Sequence, residues 1–303
     1  MSTLTNVNDK IIAERALQGF AAVLFPVSAF ATNFNSDAAK PGDAINVPLV
    51  NAITSTTFSY SANSGFPYEG TGGTMSGITI TLDAQKINTV DLNDLQKANS
   101  SAANLDAWAY QQGKSLGKMV LQDILSLVLT TNFGVAIITT LNTNWTKTQI
   151  LALRKALVDS DANTSQINAL VNSVLFTQLL SDANISQAMQ FGGSEAIRDA
   201  KIPRLYGMDL YESTIVPANG ITLYGFAAVP DALLIANRYL DPGPEGRQYY
   251  ISAMPVTDAE TGLTLGYRRH YNPGKGTEFV SFECLYGRSV GITTGLKIAT
   301  GPN

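Results

Sequence analysis

Residues 50–90 constrain the fold more than any other part of this chain of 303 residues. Thr, Ser and Asn dominate from Asn51 to Ser64, followed by the run Gly65-Phe66-Pro67-Tyr68-Glu69-Gly70-Thr71-Gly72-Gly73. Beyond it Ile78, Ile80 and Leu82 alternate with Thr79, Thr81 and Asp83, the period of a strand with one buried face. Ala44–Val50 alternates in the same way on the near side. The pattern predicts two extended arms around a wide turn: a protruding β-ribbon. An arm of about 12–15 residues reaches roughly 40–50 Å at strand rise. Two strands alone are marginal in water. The ribbon therefore has to lie on something, and a neighbouring copy of the chain is a candidate support.

Composition points the same way. Charged residues make up 15% of the chain, against roughly 25% in an average soluble domain. Hydrophobic residues make up 45%, and the mean hydropathy is +0.06. Such a surface is expected where other subunits cover much of it. A net charge of −4 argues against affinity built on neutralising phosphates. One His and one Cys exclude a multi-histidine metal centre and an internal disulfide. A chain this long buries a sizeable core without either.

Residues 1–9 read as polar and loose. An amphipathic helix follows, with Ile12, Ala16, Gly19, Phe20, Val23 and Leu24 on one face, Asn8 or Asp9 as its cap and Pro26 as its stop. Ala29-Phe30-Ala31 imitates a signal-peptidase site, but Asp9 and Glu14 offset Lys10 and Arg15, so the positive leader is missing. The apolar run from Val135 to Leu141 is far short of the roughly 20 residues of a membrane helix, and no transmembrane segment is expected.

The strongest helical periodicity covers 102–131, through Leu105, Trp108, Ala109, Gln112, Leu116, Met119 or Val120, Asp123 or Ile124, and Leu127 or Val128. Gly113 and Gly117 weaken it and admit close approach of another backbone. Thr146 caps a helix through Ile150, Leu153 and Leu157. Ala169–Phe176, Tyr206–Val216 and Ile221–Val229 read as strands, Gln178–Asp182 and Ser186–Phe191 as short helices, and Pro230–Leu240 as a helix. Asp241–Gly246 reads as a loop. The last third alternates over Tyr249–Met254, Thr264–Tyr271 and Glu278–Gly287, with a hairpin turn at Asn272–Gly276.

Enzyme chemistry finds no foothold. Gly113-Lys114-Ser115 ends like a phosphate loop, but Trp108 stands where that loop needs glycine. Asp159-Ser160-Asp161-Ala162-Asn163 begins like a calcium loop, yet Thr164 and Leu170 occupy its obligatory Gly and Glu positions. His270 has no nucleophile or carboxylate marked beside it, and Cys284 lies in an apolar strand as an inert thiol. Asn144, Asn163 and Asn184 begin glycosylation sequons by pattern only. No catalytic residue, cofactor site or metal site is expected. The reading is a structural protein.

The order of segments resembles the major capsid proteins of tailed bacteriophages, the Hong Kong 97 fold. The matching residues run from Ile12-Ala13-Glu14-Arg15-Ala16-Leu17-Gln18-Gly19-Phe20 to Asn33–Asp37 and Pro41–Pro48. They continue through Gly192–Ala196, Leu205–Ser213, Gly225–Leu233, Gly262–Leu265 and Leu285–Gly287. The resemblance implies an α+β fold with an N-terminal arm (1–35), an extended E-loop ribbon (50–90) and a peripheral domain (36–49 and 91–132) carrying a long spine helix. It further implies a mixed α/β axial domain (133–250) and strands returning to the peripheral domain (251–303). Its subunits form hexamers and pentamers of an icosahedral virus head around double-stranded DNA, assembled in the host cytoplasm.

That resemblance makes Ile12, Phe20 and Leu24 of the arm and Phe58, Tyr60, Phe66, Pro67, Tyr68, Ile78 and Ile80 of the ribbon the candidate inter-subunit contacts. It also implies a portal protein and weak, non-specific contact with packaged DNA. Residues 41–85 hold no lysine, so covalent cross-linking from the ribbon is not expected. The arm helix starts near residue 10, so a separate scaffolding protein is expected. Alternatives are an encapsulin-like compartment and, from a different class, a secreted surface-layer protein.

Overall fold

Two sheets share one core, and two long helices close it. The computed structural model describes residues 2–33, 44–50, 75–94, 102–141, 144–160, 166–181, 204–216, 222–259 and 261–300. Helix α1 spans Ser2–Leu24, strand β1 Ala31–Asn33, β2 Ala44–Val50, β3 Met75–Thr81 and β4 Ala84–Asn93. Helix α2 follows over Ala102–Leu125, a short α3 over Thr130–Phe133 and α4 over Lys147–Asp159. Then come β5 (Ile167–Val171), α5 (Ser173–Ser181), β6 (Arg204–Leu205), β7 (Met208–Glu212), β8 (Leu223–Ala228), β9 (Leu233–Arg238) and α6 (Gly243–Arg247). The chain ends through β10 (Ser252–Thr257), β11 (Thr264–Asn272), β12 (Thr277–Val290) and β13 (Leu296–Thr300).

The six-stranded sheet runs β1-β9-β12-β11-β10, with β4 also paired to β12. Strand β12 is long enough to serve three strands: β4 pairs along one edge from Thr277 to Tyr286, and on the other edge β11 (to Glu283) gives way to β9 (Leu285 to Val290). Helices α1 and α2 cover one face, burying Ala13, Phe20, Leu116, Val120 and Ile124 against Tyr267, Phe282 and Tyr286. The five-stranded sheet runs β13-β8-β5-β7-β6. Ile150, Leu153 and Leu157 of α4 and Leu175 and Leu179 of α5 pack on it. Phe30 meets Phe226 edge-on at 5.1 Å, joining the two halves.

The contact between α1 and α2 is made through small residues. A Cβ on Gly113 would run into the Ala16 carbonyl, and one on Gly19 into the Tyr110 carbonyl. The expected close backbone approach is therefore present, with α1 as its partner. Trp108, placed by periodicity on the inward face, is 47% exposed because the packing turns about Gly113 and Gly117 instead.

Several expectations are corrected. Residues 1–9 are not loose: α1 begins at Ser2, so Asn8 and Asp9 lie inside the helix instead of capping it. The strand expected over Ala169–Phe176 stops at Val171, where the Asn172 side-chain carbonyl accepts from the Leu175 N–H at 2.9 Å and starts α5. Pro230–Leu240 is not a helix. After a 3₁₀ turn at Pro230–Ala232 it is β9, buried at every residue, and a continuous apolar run fits a doubly covered strand as well as a helix. Tyr206 and Gly207 take positive φ (51° and 80°) as the turn between β6 and β7, so the strand expected over Tyr206–Val216 is confined to Met208–Glu212. The loop expected at Asp241–Gly246 contains α6.

The sheets also redistribute the segments. Strand β4 belongs to the six-stranded sheet and not to the ribbon, as does β9, although it precedes residue 250. Strand β13 returns to the five-stranded sheet. The expected Thr146 cap is present: its hydroxyl accepts from the Thr148 N–H at 3.4 Å, and the Gln149 side chain accepts from the Thr146 N–H at 2.9 Å.

If the glycine contact sets the α1–α2 distance, Gly113→Ala loses about 2 kcal/mol to overpacking, although alanine favours a helix by about 1 kcal/mol. Gly117→Ala, whose added Cβ would lie 3.0 Å from the Phe20 oxygen, loses less. Urea unfolding of both variants measures this; a Gly113→Ala protein as stable as the parent contradicts it.

Candidate assembly interface

The ribbon is anchored before it leaves the body. Strands β2 and β3 pair antiparallel from Ala44↔Thr81 to Val50↔Met75. Among the described residues its base is buried: Val47, Ile80 and Leu82 pack on Leu234, Ala236 and Leu285, with Ile45 and Ile78 partly buried beside them. Gly287 of β12 lies so close under β3 that a Cβ there would meet the Thr81 carbonyl. The ribbon is thus set across β9 and β12, on the sheet face that α1 and α2 leave open.

Buried charge holds the opposite face together. Asp9 of α1 is wholly buried and accepts from Arg269 at 2.6 Å and from the Tyr267 hydroxyl at 3.1 Å. Arg269 also pairs with buried Glu278. Asp123 of α2 accepts from the Tyr286 hydroxyl at 2.6 Å and pairs with Arg288 at 3.0 Å. Burial and the neighbouring carboxylate push both tyrosine hydroxyls above their usual range. On the open face Arg268 pairs with Glu283 at 2.6 Å; burial raises the Glu283 carboxyl, and Arg268 and Gln85 oppose the rise. These clusters tie α1 and α2 to the sheet. Sequence reading missed them because their members lie far apart in the chain; a carboxylate inside the apolar pattern of α1 was the available signal.

The predicted contact residues divide. Phe20, Leu24 and Ile80 are fully buried in their own chain, so none of them offers surface to a neighbour. Ile12 and Ile78 are half-buried. Phe58, Tyr60, Phe66, Pro67 and Tyr68 lie outside the described residues, as do Asp161–Asn163 of the calcium-like run and the helix expected at Ser186–Phe191. Among the described residues, large apolar side chains are exposed at Ile87 on β4, at Trp108 and Met119 on α2, and at Tyr249 and Ile251 before β10. Sequence periodicity had assigned none of these to the surface.

The remaining candidates sit in structural contacts. His270 stacks on Phe279 at 5.0 Å and meets Tyr250 edge-on. Cys284 accepts from the Asn237 amide at 3.1 Å. Gly113-Lys114-Ser115 is interior to α2, where backbone N–H groups are committed to the helix. No group of three or more His, Cys, Asp or Glu is gathered among the described residues. Asp9–Ala29 is long and apolar enough in composition to cross a membrane; here Ala13, Ala16, Phe20 and Leu24 are buried in the core that α2 shares, while Ile11 and Phe25 are exposed.

No protein-family profile and no curated protein matches this sequence. Solved structures do. The capsid of Cyanophage P-SCSP1u superposes with a TM-score of 0.60 at 11% identity, over 92% of this chain and 88% of that one. The mature capsid of bacteriophage PhiM1 gives 0.58 at 11% identity, over 91% and 87%. Cyanophage Pam1 capsid gives 0.59 at 13% identity, over 85% and 84%. The chain has the Hong Kong 97 capsid fold. In that fold α2 is the spine helix, β2–β3 the root of the E-loop and α1 the arm helix.

Burial pushes the Cys284 thiol up to about 12, well above the range in which thiolate forms at neutral pH. A disulfide reagent at pH 8 should leave the native protein unlabelled and label one thiol per chain in guanidinium. Rapid native labelling would contradict the buried environment.

Proposed function

We propose that this chain is the major capsid protein of a tailed-phage-type head, joining copies of itself in hexamers and pentamers around double-stranded DNA. The observation that carries the reading is the match of the fold to phage capsid structures over 85–92% of the chain. The six-stranded sheet with α1 and α2 serves as the peripheral body, and the five-stranded sheet with α4 and α5 as the axial body. The part of the expected E-loop between Val50 and Met75 lies outside the described residues, and the contact with a neighbour is assigned to it. A scaffolding protein and a portal complete the partners, and the assembled virion is the final location.

The charge distribution supports a container. Net charge is −4 and the strongest cations of the sheet, Arg268 and Arg269, are consumed by Glu283, Asp9 and Glu278. A wall of net negative charge holds DNA weakly, since each neutralised phosphate adds salt-sensitive affinity. Shell stability then comes from repeated uncharged contacts, head to tail within a ring.

Deleting Ser64–Thr74 removes the residues expected at the ribbon tip and none of the core formed by the described residues. The variant should keep the parent's circular dichroism and unfolding midpoint but sediment as monomers or small oligomers where the parent sediments as particles. Normal particles from the deletion variant would refute the role given to the ribbon.

A further inference from the structure

Strand β4 has a free edge. It pairs with β12 without interruption from Ala84↔Tyr286 to Asn93↔Thr277, and among the described residues no other strand pairs with it. Edge strands are ordinarily short, bulged, or blunted by proline or several charges. Strand β4 has ten residues, no glycine, no proline and no bulge, and its only charges are Lys86 and Asp91. Ile87 points away from the helices and is 50% exposed.

The helix above that edge is also uncovered. Gly113 and Gly117 of α2 face α1, while Leu116, Val120 and Ile124 are buried in the core. Trp108 and Met119, eleven residues apart, fall three turns from each other on the flank opposite α1. They are 47% and 39% exposed. Since α1 is tied to β11 through Asp9 and α2 to β4 through Asn88, whose amide donates to the Gln112 carbonyl at 3.1 Å, that flank stands over the free edge.

We propose that β4 pairs antiparallel with β4 of a second copy about a two-fold axis normal to the sheet. Two six-stranded sheets then join edge to edge, and the Trp108–Met119 flanks of both spine helices meet. The dimensions fit. Strands pair about 4.8 Å apart, so helices centred over β4 and β12 stand about 10 Å from their copies, the usual packing distance. The charges fit as well. Such an axis keeps each face on its own side, so Lys86 and Asp91, one residue of opposite parity from the other, never face. With Asn88, Thr89 or Val90 on the axis, Lys86 meets Val90, Leu92 or Asp94, and Asp91 meets Gln85, Ile87 or Thr89. No like charges are opposed. The contact is isologous, the same patch on both partners. It deepens the shell reading by supplying a contact between rings, and rests on that reading only for its place in a particle.

Single cysteines at Asn88, Thr89 and Val90 test it on the full chain, with buried Cys284 retained and exposed Ile11→Cys as control. Residues facing each other across a two-fold have Cα atoms about 4.5–5.5 Å apart, within disulfide reach. Under mild oxidation one of the three positions should give inter-chain dimers on a non-reducing gel, and a Trp108→Lys, Met119→Lys background should lower their yield about ten-fold, equivalent to about 1.4 kcal/mol. Particles that form with no position cross-linking above the Ile11→Cys control overturn the pairing and leave the shell reading standing. Absence of cross-links without particles overturns it equally. Cross-linked dimers that never build particles uphold the pairing and count against the shell.

Discussion

The rest of the structure depends on how closely α1 can approach α2. At Gly113 and Gly19 each helix touches the other's backbone, so the pair behaves as one slab laid on the six-stranded sheet. The distance that this contact fixes decides which residues of α2 reach the sheet and which are left outside. Leu116, Val120 and Ile124 go in; Trp108 and Met119 stay out. The buried Asp9–Arg269 pair and the half-buried Asp123–Arg288 pair then set where the slab sits along the strands. Buried ion pairs of this kind add little net stability, but removing one partner is costly, so they favour one placement over its neighbours.

With one sheet face closed by helices, the ribbon is left to the other. Its root is short of apolar contacts beyond Val47, Ile80 and Leu82, and its strands extend past them. That asymmetry fits a subunit whose stability resides in its own core and whose extension is meant for another surface. The low charge of the chain fits the same division, because repulsion between like charges would accumulate at every repeated contact of a shell.

Much of this was legible in the sequence, for physical reasons that also explain the failures. The Thr146 capping box and the ribbon strands were readable because their signals are local and periodic. Strand β9 was not, since Leu233–Ile235 is buried on both faces and carries no period to distinguish strand from helix. The facing of α2 was misjudged at Trp108 because apolar spacing suggested the inside, whereas the two glycines decided the contact. Asp9 and Arg269 are 260 residues apart, and nothing short of the fold brings them together. Of the contact residues expected from the arm and ribbon, Phe20, Leu24 and Ile80 turned out to serve their own chain: large apolar residues near a helix or strand that packs internally are core before they are interface. The exposed edge of β4 was invisible for the opposite reason, because an edge is a property of the sheet and not of the strand's sequence.

The central claim is that this fold exists to be repeated. Electron microscopy of the purified full chain tests it most directly. The account predicts rings of six or five subunits, closed shells, or both, with a wall built from copies in contact through the ribbons. A population that remains monomeric at every concentration and salt condition in which the protein stays folded would contradict it.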